Sequence, residues 1–343
     1  MISVSVAMAT FNGQKRIQRQ LESLAAQTRI PAELVICDDG SEDDTIAIVE
    51  NFAKSASFPV VVHRNETRLG YRANFMRAAE LCRYELIAFS DQDDYWHSNK
   101  LSASIQPFDD PEILLVYHNA DVVTVDGKRI GTLAARAAPR PVLMPLSSGP
   151  FWPCALGFTE TFRRSLLCLS DLWPLSRDHY DMRQPLGHDQ WFFFLAGVFG
   201  KIGYIDKPLV AYTQHGSNTY GWRRISIRES VGKHFRNRAD EYSQYAKAAE
   251  NRAAILEFAK PKLHNEWRDR ADAASAYYRK VSWLLAERNT IYTAEKIADR
   301  LRSFRSLLEN GGYAGILGLG RKSLAADICF GVMMRHLLRS ASQ

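Results

Sequence analysis

No Cys-x-x-Cys pair occurs in the 343 residues. The five cysteines, Cys37, Cys82, Cys154, Cys168 and Cys329, are scattered, so zinc-ribbon and thioredoxin-type chemistry has no support. Cys37 and Cys82 fall in apolar patterns and read as small buried hydrophobes of a reduced, cytoplasmic protein. No run of about 18–20 apolar residues is present, so no membrane-spanning helix is expected. The longest candidate, WFFFLAGVFG, has the length of a buried helix. The stretch Met1–Ala9 is short and uncharged and is not expected to be a signal peptide. No Gly-x-Gly-x-x-Gly follows the first apolar run, which counts against a dinucleotide site. No nucleic-acid-binding motif accompanies the basic residues, so no nucleic-acid partner is expected.

What is present suits a globular chain with a sizeable core: 46% of the residues are hydrophobic. Charge is unevenly spread. Residues 223–343 carry a net +10 and the rest −4, which suggests two regions with different tasks.

The first ninety residues alternate in period. ISVSVAMAT, ELVICDD, PVVVHRN and ELIAFSDQDD read as strands buried on both faces. Between them, Ile17, Leu21, Leu24 and Ala25, then Ile46, Val49, Phe52 and Ala53, recur at helical spacing. Ser41, with Asp44 three residues on, reads as a capping box opening the second helix. ANFMRAAELC reads as the third helix. Strand and helix in alternation imply a mainly parallel sheet flanked by helices. Farther on, the turn at Asp126-Gly127 joins two strands, DQWFFFLAGVFG is a buried helix, and KIGYIDKPLVAYTQHG reads as two strands about a turn.

Ligands of such sheets sit at the carboxyl ends of the strands. Two of those ends carry acids: Asp38 and Asp39 after the second strand, and Asp91, Asp93 and Asp94 after the fourth. Mutually repelling carboxylates beside an apolar run suit a hard divalent cation, Mg²⁺ or Mn²⁺, that borrows further oxygens from a diphosphate. The bland alternative is an acidic turn capping the helix at Lys100 and Leu101.

VSVAMATFNG, LVICDDGSEDDT, RNETRLGYRANF, SDQDDYW and GHDQWFFFLAGVFGKIGYIDKPLVAYTQHGSN arrive in an order that resembles inverting nucleotide-sugar glycosyltransferases of family 2, with the α/β GT-A fold. The likeness covers about residues 1–222, and the DQDDYW, GHDQW and QHGSN set is most similar to the rhamnosyltransferase-type branch that builds cell-surface polysaccharide. The resemblance implies a donor such as a dTDP-, UDP- or GDP-sugar and a glycan or lipid-linked acceptor. It implies Asp93 as the carboxylate that holds Mg²⁺ or Mn²⁺ against the donor diphosphate, with His215 completing that metal site or touching the diphosphate. It places Asp91 at the ribose or metal shell, Asp39 on the nucleobase, Phe11 packed on the base and Thr10 beside it. Asp189, opening an apolar helix, matches the general base that deprotonates the acceptor hydroxyl. Asp38 reads instead as a turn-capping acid. The chain departs from the branch at Thr213, where an arginine is usual, and at Gln190, where a tryptophan is frequent. His188 has a status similar to that of His215, and Asp121 falls at a family position without a stated role.

Residues 223–343 match no family pattern and read as a basic helical region. Leu324, Ile328, Val332, Leu337 and Leu338 recur at helical spacing beside Arg321, Lys322, Arg335 and Arg339. This pattern suits an anionic membrane surface, with the enzyme peripheral on the cytoplasmic face, or a homo-oligomer contact. The rival functions are a sugar nucleotidyltransferase, for which TFNGQKR is a poor phosphate loop, and a degenerate sugar-nucleotide-binding scaffold.

Overall fold

A computed structural model describes residues 2–133, 155–215, 238–313 and 320–333. These residues form two compact units, one comprising residues up to 133 with 155–171 and 187–215, the other comprising 172–186 and the residues from 238 onward.

The first unit is built on a nine-stranded mixed sheet. Its strands are β1 (Val4–Thr10), β2 (Glu33–Asp38), β3 (Val60–Arg64), β4 (Leu86–Ser90), β5 (Tyr95–Trp96), β6 (Ile113–Thr124), β7 (Arg129–Thr132), β8 (Thr161–Arg163) and β9 (Lys201–Gln214). The spatial order is β3-β2-β1-β4-β8-β6-β9-β5, with β7 paired to β6. β1 lies between β2 and β4 and is parallel to both. Their carboxyl ends therefore share one rim, which brings the two acidic segments together.

Alternate strand residues face opposite sides of a sheet. Val4, Val6 and Met8 of β1 join Leu34, Ile36, Leu86 and Ala88 in one core, with Ile17, Leu21 and Leu24 from α1 (Ile17–Ala25) and Val49 and Phe52 from α2 (Thr45–Ala53). α3 (Tyr71–Leu81) packs against β1 and β2. The short α4 (Lys100–Ile105) follows β5, and α5 (His188–Phe199), buried over most of its length, packs against β6 and β9.

Two local expectations are corrected. Ser41 does not cap α2. The helix opens later, at Thr45, with no side-chain cap, because Ser41 is drawn to the carboxylate of Asp38: its N–H and Oγ donate to Asp38 at 2.8 and 2.5 Å. KIGYIDKPLVAYTQ is one strand, not two. β9 runs beside β6 from Lys201 to Gln214, and the ladder absorbs Asp206-Lys207-Pro208 through register shifts, with Asn119 opposite Pro208. Proline offers no N–H, and the irregularity removes the need for one.

The second unit is helical: α6 (Arg238–Ala259), α7 (Asn265–Thr293), α8 (Ile297–Glu309), and a last segment Gly320–Ala326 that widens into π-helix over Asp327–Met333. Asp327 is fully buried there. It accepts from Arg288 Nε and Nη2 at 2.8 and 3.0 Å, from the Tyr313 hydroxyl at 2.8 Å, and from the Tyr292 hydroxyl. Arg288 also lies 4.4 Å from the Tyr242 ring centroid. Val332 is buried and Ile328 exposed. Leu337, Leu338, Arg335 and Arg339 lie outside the described residues, as do the Gly216-Ser217-Asn218 of QHGSN and Cys154.

Candidate active site

The site grows from three chain segments at the ends of β1, β2 and β4. After β1 the chain turns through Phe11, Asn12 and Gly13. Asn12 adopts a left-handed φ of 47°, a conformation that asparagine tolerates better than most residues. Its N–H donates to Ser41 Oγ at 2.9 Å, and its Oδ1 accepts the Glu42 N–H at 3.0 Å. Gly13 N–H donates to Thr45 Oγ1 at 2.7 Å. The turn after β1 is thus bound to the turn after β2.

Asp38 has the structural role expected of it. Thr10 Oγ1 donates to its Oδ1 at 2.8 Å, and with the two Ser41 bonds its carboxylate is spent on main-chain and hydroxyl donors. Asp39 organises the far wall. Its Oδ1 accepts from Asn65 Nδ2 at 2.9 Å and Leu69 N–H at 2.6 Å, and its Oδ2 from Gly70 N–H at 2.8 Å. Gly70 has a φ of 81°, which a side chain would strain. That bend aims two successive N–H groups at one carboxylate and starts α3.

The acidic segment after β4 is heterogeneous. Asp93 Oδ2 lies 2.6 Å from His215 Nε2, which β9 delivers. Asp94 is buried, and its Oδ1 accepts the Thr213 N–H at 3.1 Å while its Oδ2 has no partner. Burial pushes the Asp91 carboxyl up to about 8, helped by the negative Asp93 and Asp189, with Lys100 opposing. Burial also holds the Asp94 carboxyl well above the usual range. Beneath them Lys100 is wholly buried, its Nζ 3.3 Å from the Trp96 ring centroid and without a hydrogen-bond acceptor. α4 begins after Asn99 with no side-chain cap, so the acidic segment does not serve as a cap for that helix.

Asp189 sits in the first turn of α5, where the helix dipole favours a negative charge. Burial nevertheless raises its carboxyl to about 6, against lowering contributions from main-chain N–H groups, Gly157 among them, and from Arg72. Gln190 N–H donates to Asp189 Oδ1 at 2.8 Å, and the Gln190 side chain accepts the Gly187 N–H at 3.0 Å. Gln190 therefore closes the helix start. His188 is stacked on Phe75 with centroids 4.0 Å apart, and burial holds its imidazole down at about 3, so it is neutral.

One cavity of about 470 Å³ collects these groups: Thr10, Phe11, Asp39, Asp91, Asp93 and Asp189 all line it. Every catalytic and donor-site residue expected from the sequence is therefore on one wall or another. His215 joins through Asp93. Asp121 does not line the cavity and is held by Arg129 at 2.5 Å. Sequence reasoning missed Gln92, Lys100, Arg68, whose guanidinium lies 3.9 Å from the Phe11 centroid, and Glu160, a fully buried acid whose oxygens have no partner. The signal for Glu160 was present, since a lone acid in GFTETF interrupts apolar positions.

Among the described residues no three His, Cys, Asp or Glu side chains converge as a ready cation site. A carboxylate–imidazole pair with Asp91 beside it still suits Mg²⁺ or Mn²⁺, which keeps waters and takes phosphate oxygens. The raised Asp91 carboxyl marks a crowding of acids in which a bound cation would favour the ionised form.

Residues 5–167 match the family model described as glycosyl transferase family 2. Residues 5–167 resemble a family 2 glycosyltransferase domain. The chain is 27% identical over 225 residues to the dTDP-rhamnosyl transferase RfbG of Shigella flexneri, a match covering 62% of this chain and 73% of that protein. It is 31% identical over 116 residues to WfaP of Escherichia coli, named a UDP-Glc:alpha-D-GlcNAc-diphosphoundecaprenol beta-1,3-glucosyltransferase, covering 34% of this chain and 45% of WfaP. Among solved structures, S. aureus TarS 1-349 in complex with UDP-GlcNAc superposes with a TM-score of 0.50 at 18% identity, covering 91% of this chain and 92% of that one. That likeness concerns the fold, the GT-A arrangement expected from the sequence. No described helix of the chain is long and apolar enough to cross a membrane.

Proposed function

We propose that the chain is a metal-dependent inverting glycosyltransferase that moves a sugar from a nucleoside diphosphate to a hydroxyl of a growing cell-surface glycan. The observation that carries this reading is the single cavity lined by Phe11, Asp39, Asp91, Asp93 and Asp189. Phe11 offers an aromatic face to a nucleobase. Asp39 lies beside it as an acceptor for a base N–H. Asp93 with His215 would hold Mg²⁺ or Mn²⁺, which when bound offsets the charge of the diphosphate. Asp189 takes the proton of the acceptor hydroxyl as that oxygen bonds to the anomeric carbon. The bond from that carbon to the diphosphate oxygen breaks, and the nucleoside diphosphate leaves with the electron pair. Attack opposite the leaving group inverts the anomeric centre.

The names of the relatives favour uracil or thymine as the donor base. Rhamnose is the sugar to test first, since Phe75, Leu156 and Phe158 give the cavity an apolar wall suited to a deoxysugar methyl. Calorimetry with UDP and dTDP tests the donor site. Asp93→Ala is expected to lose the tightening that Mn²⁺ gives to nucleoside diphosphate binding. A variant that binds as tightly as the parent with metal present refutes the assignment. Hydrolysis of dTDP-rhamnose against UDP- and GDP-sugars then identifies the donor.

The C-terminal unit is assigned to the membrane face, beside a lipid-linked acceptor. In α8, Ile297, Leu301 and Leu308 are 56%, 48% and 48% exposed and share one stripe; Arg302 and Arg305 of the same helix pair with Asp299 and Glu309 at 3.1 and 2.6 Å, so the charge offered to an anionic surface is the net excess of residues 223–343. Each basic residue near an anionic surface contributes up to about 1 kcal/mol, screened beyond a Debye length. Co-sedimentation with anionic vesicles is expected at low salt and is expected to fade at high salt. Absence of sedimentation together with a dimer mass by light scattering assigns these helices to oligomerisation instead.

A further inference from the structure

The side chain between the two acids Asp91 and Asp93 reaches back to the turn after β1. Gln92 Oε1 accepts the Phe11 N–H at 3.1 Å, and Gln92 Nε2 donates to the Phe11 carbonyl at 3.0 Å. One amide thus closes a two-point ring with the main chain of the residue whose aromatic face meets the base. The amide lies against Gly13 so closely that a Cβ there would fall 2.3 Å from Gln92 Oε1. The same turn is bonded on its other side to Ser41, Glu42 and Thr45.

We infer that Gln92 is a positioning residue that fixes the spacing between the nucleobase subsite and the cation-binding carboxylates, so that base and metal-bound diphosphate are held as one rigid ruler. This rests on the donor-site reading above. A nucleoside diphosphate spans both ends, with its base on Phe11 and its phosphates toward Asp93. If the acidic segment could move relative to Phe11, engaging both ends at once would cost the ordering of that segment, and each end would lose part of the benefit of the other. The amide ring orders the segment beforehand. Gln92 borders the same cavity, but both ends of its amide are taken up by the Phe11 main chain. Its contribution lies in the coupling between two ends that other residues form.

The test measures that coupling directly in the full chain. UDP and dTDP are titrated by calorimetry with and without Mn²⁺, and the ratio of the two affinities is the tightening factor. Two unrelated substitutions attack the ring: Gln92→Leu removes both hydrogen bonds, and Gly13→Ala pushes the amide off its seat while leaving Gln92 in place. Cation-free affinity is expected to stay within about twofold of the parent, and the tightening factor to fall about tenfold in both variants, within the usual range of coupling between sites. Thermal melting confirms that each variant is folded, and the two variants keep the result interpretable if one is not. A parent-sized tightening factor in a folded variant overturns the inference and leaves the donor site intact. An equal loss of cation-free affinity also overturns it, because a general structural prop would weaken both ends alike. A parent protein whose binding is indifferent to Mn²⁺ overturns the donor-site reading and this inference together.

Discussion

Asp189→Asn is expected to bind the nucleoside diphosphate as the parent does and to transfer sugar about 10²–10⁴-fold more slowly, the usual contribution of a positioned proton acceptor. The substitution keeps the shape of the side chain and its contact with the Gln190 N–H, while it removes the basic oxygen. Because burial raises the parent carboxyl to about 6, the proton acceptor forms as pH rises through that value. The rate should therefore climb from pH 5 to 7 and level off above, and the Asn variant should lose that limb. Stability follows the opposite sign. A carboxyl raised above its ordinary 3.8 stabilises the fold at low pH, and that contribution is lost as pH rises from about 4 through 6. At pH 8 the Asn variant should be at least as stable as the parent. Full transfer at neutral pH, or a variant that is slow because it melts early, removes Asp189 from the role.

The second large effect falls in the helical unit, on a residue that does not line the cavity. Asp327→Ala is expected to destabilise the C-terminal helices by about 3–5 kcal/mol, the typical cost of leaving one partner of a buried ion pair alone. Arg288 would remain buried beside Tyr242 with its acceptor gone, and the hydroxyls of Tyr292 and Tyr313 would lose theirs. Asp327 joins helix α7 to the π-helical segment, so the loss should appear as a lower urea midpoint in far-ultraviolet circular dichroism. Donor binding should persist where the variant is folded. An unchanged midpoint would mean that the pair is dispensable to the packing.

Which features could be read in advance follows from how local their causes are. β1, β2 and β4 are central strands covered on both faces, so each is a mainly apolar run that declares itself. The acids at their ends were visible because charge after such a run is conspicuous. Asp206-Lys207-Pro208 misled because the three residues look like a turn in isolation, whereas the long partner β6 carries them within one strand. Ser41 misled because its hydroxyl had a nearer carboxylate, Asp38, than the helix it precedes. Gln92 and Lys100 were opaque for a further reason. An amide between two acids, or a lysine before an apolar helix, reads as a solvated residue until the segment 81 residues away, or the tryptophan below, is in place.

The continuity of β9 has a consequence for tolerance to change. Thr213 and His215 reach Asp94 and Asp93 because Ala211 to Gln214 pair residue for residue with Asp121 to Thr124. Removing one residue from that regular stretch would draw the strand back by about 3.3 Å and turn its side chains to the opposite face. His215 would then be presented away from Asp93, although every residue of the site would still be encoded. A point substitution on the exposed Lys207, in the irregular part of the ladder, should be silent, whereas deletion of one residue between Ala211 and Gln214 should disable the site. In this strand, chain length carries information in the same way that side-chain identity does elsewhere.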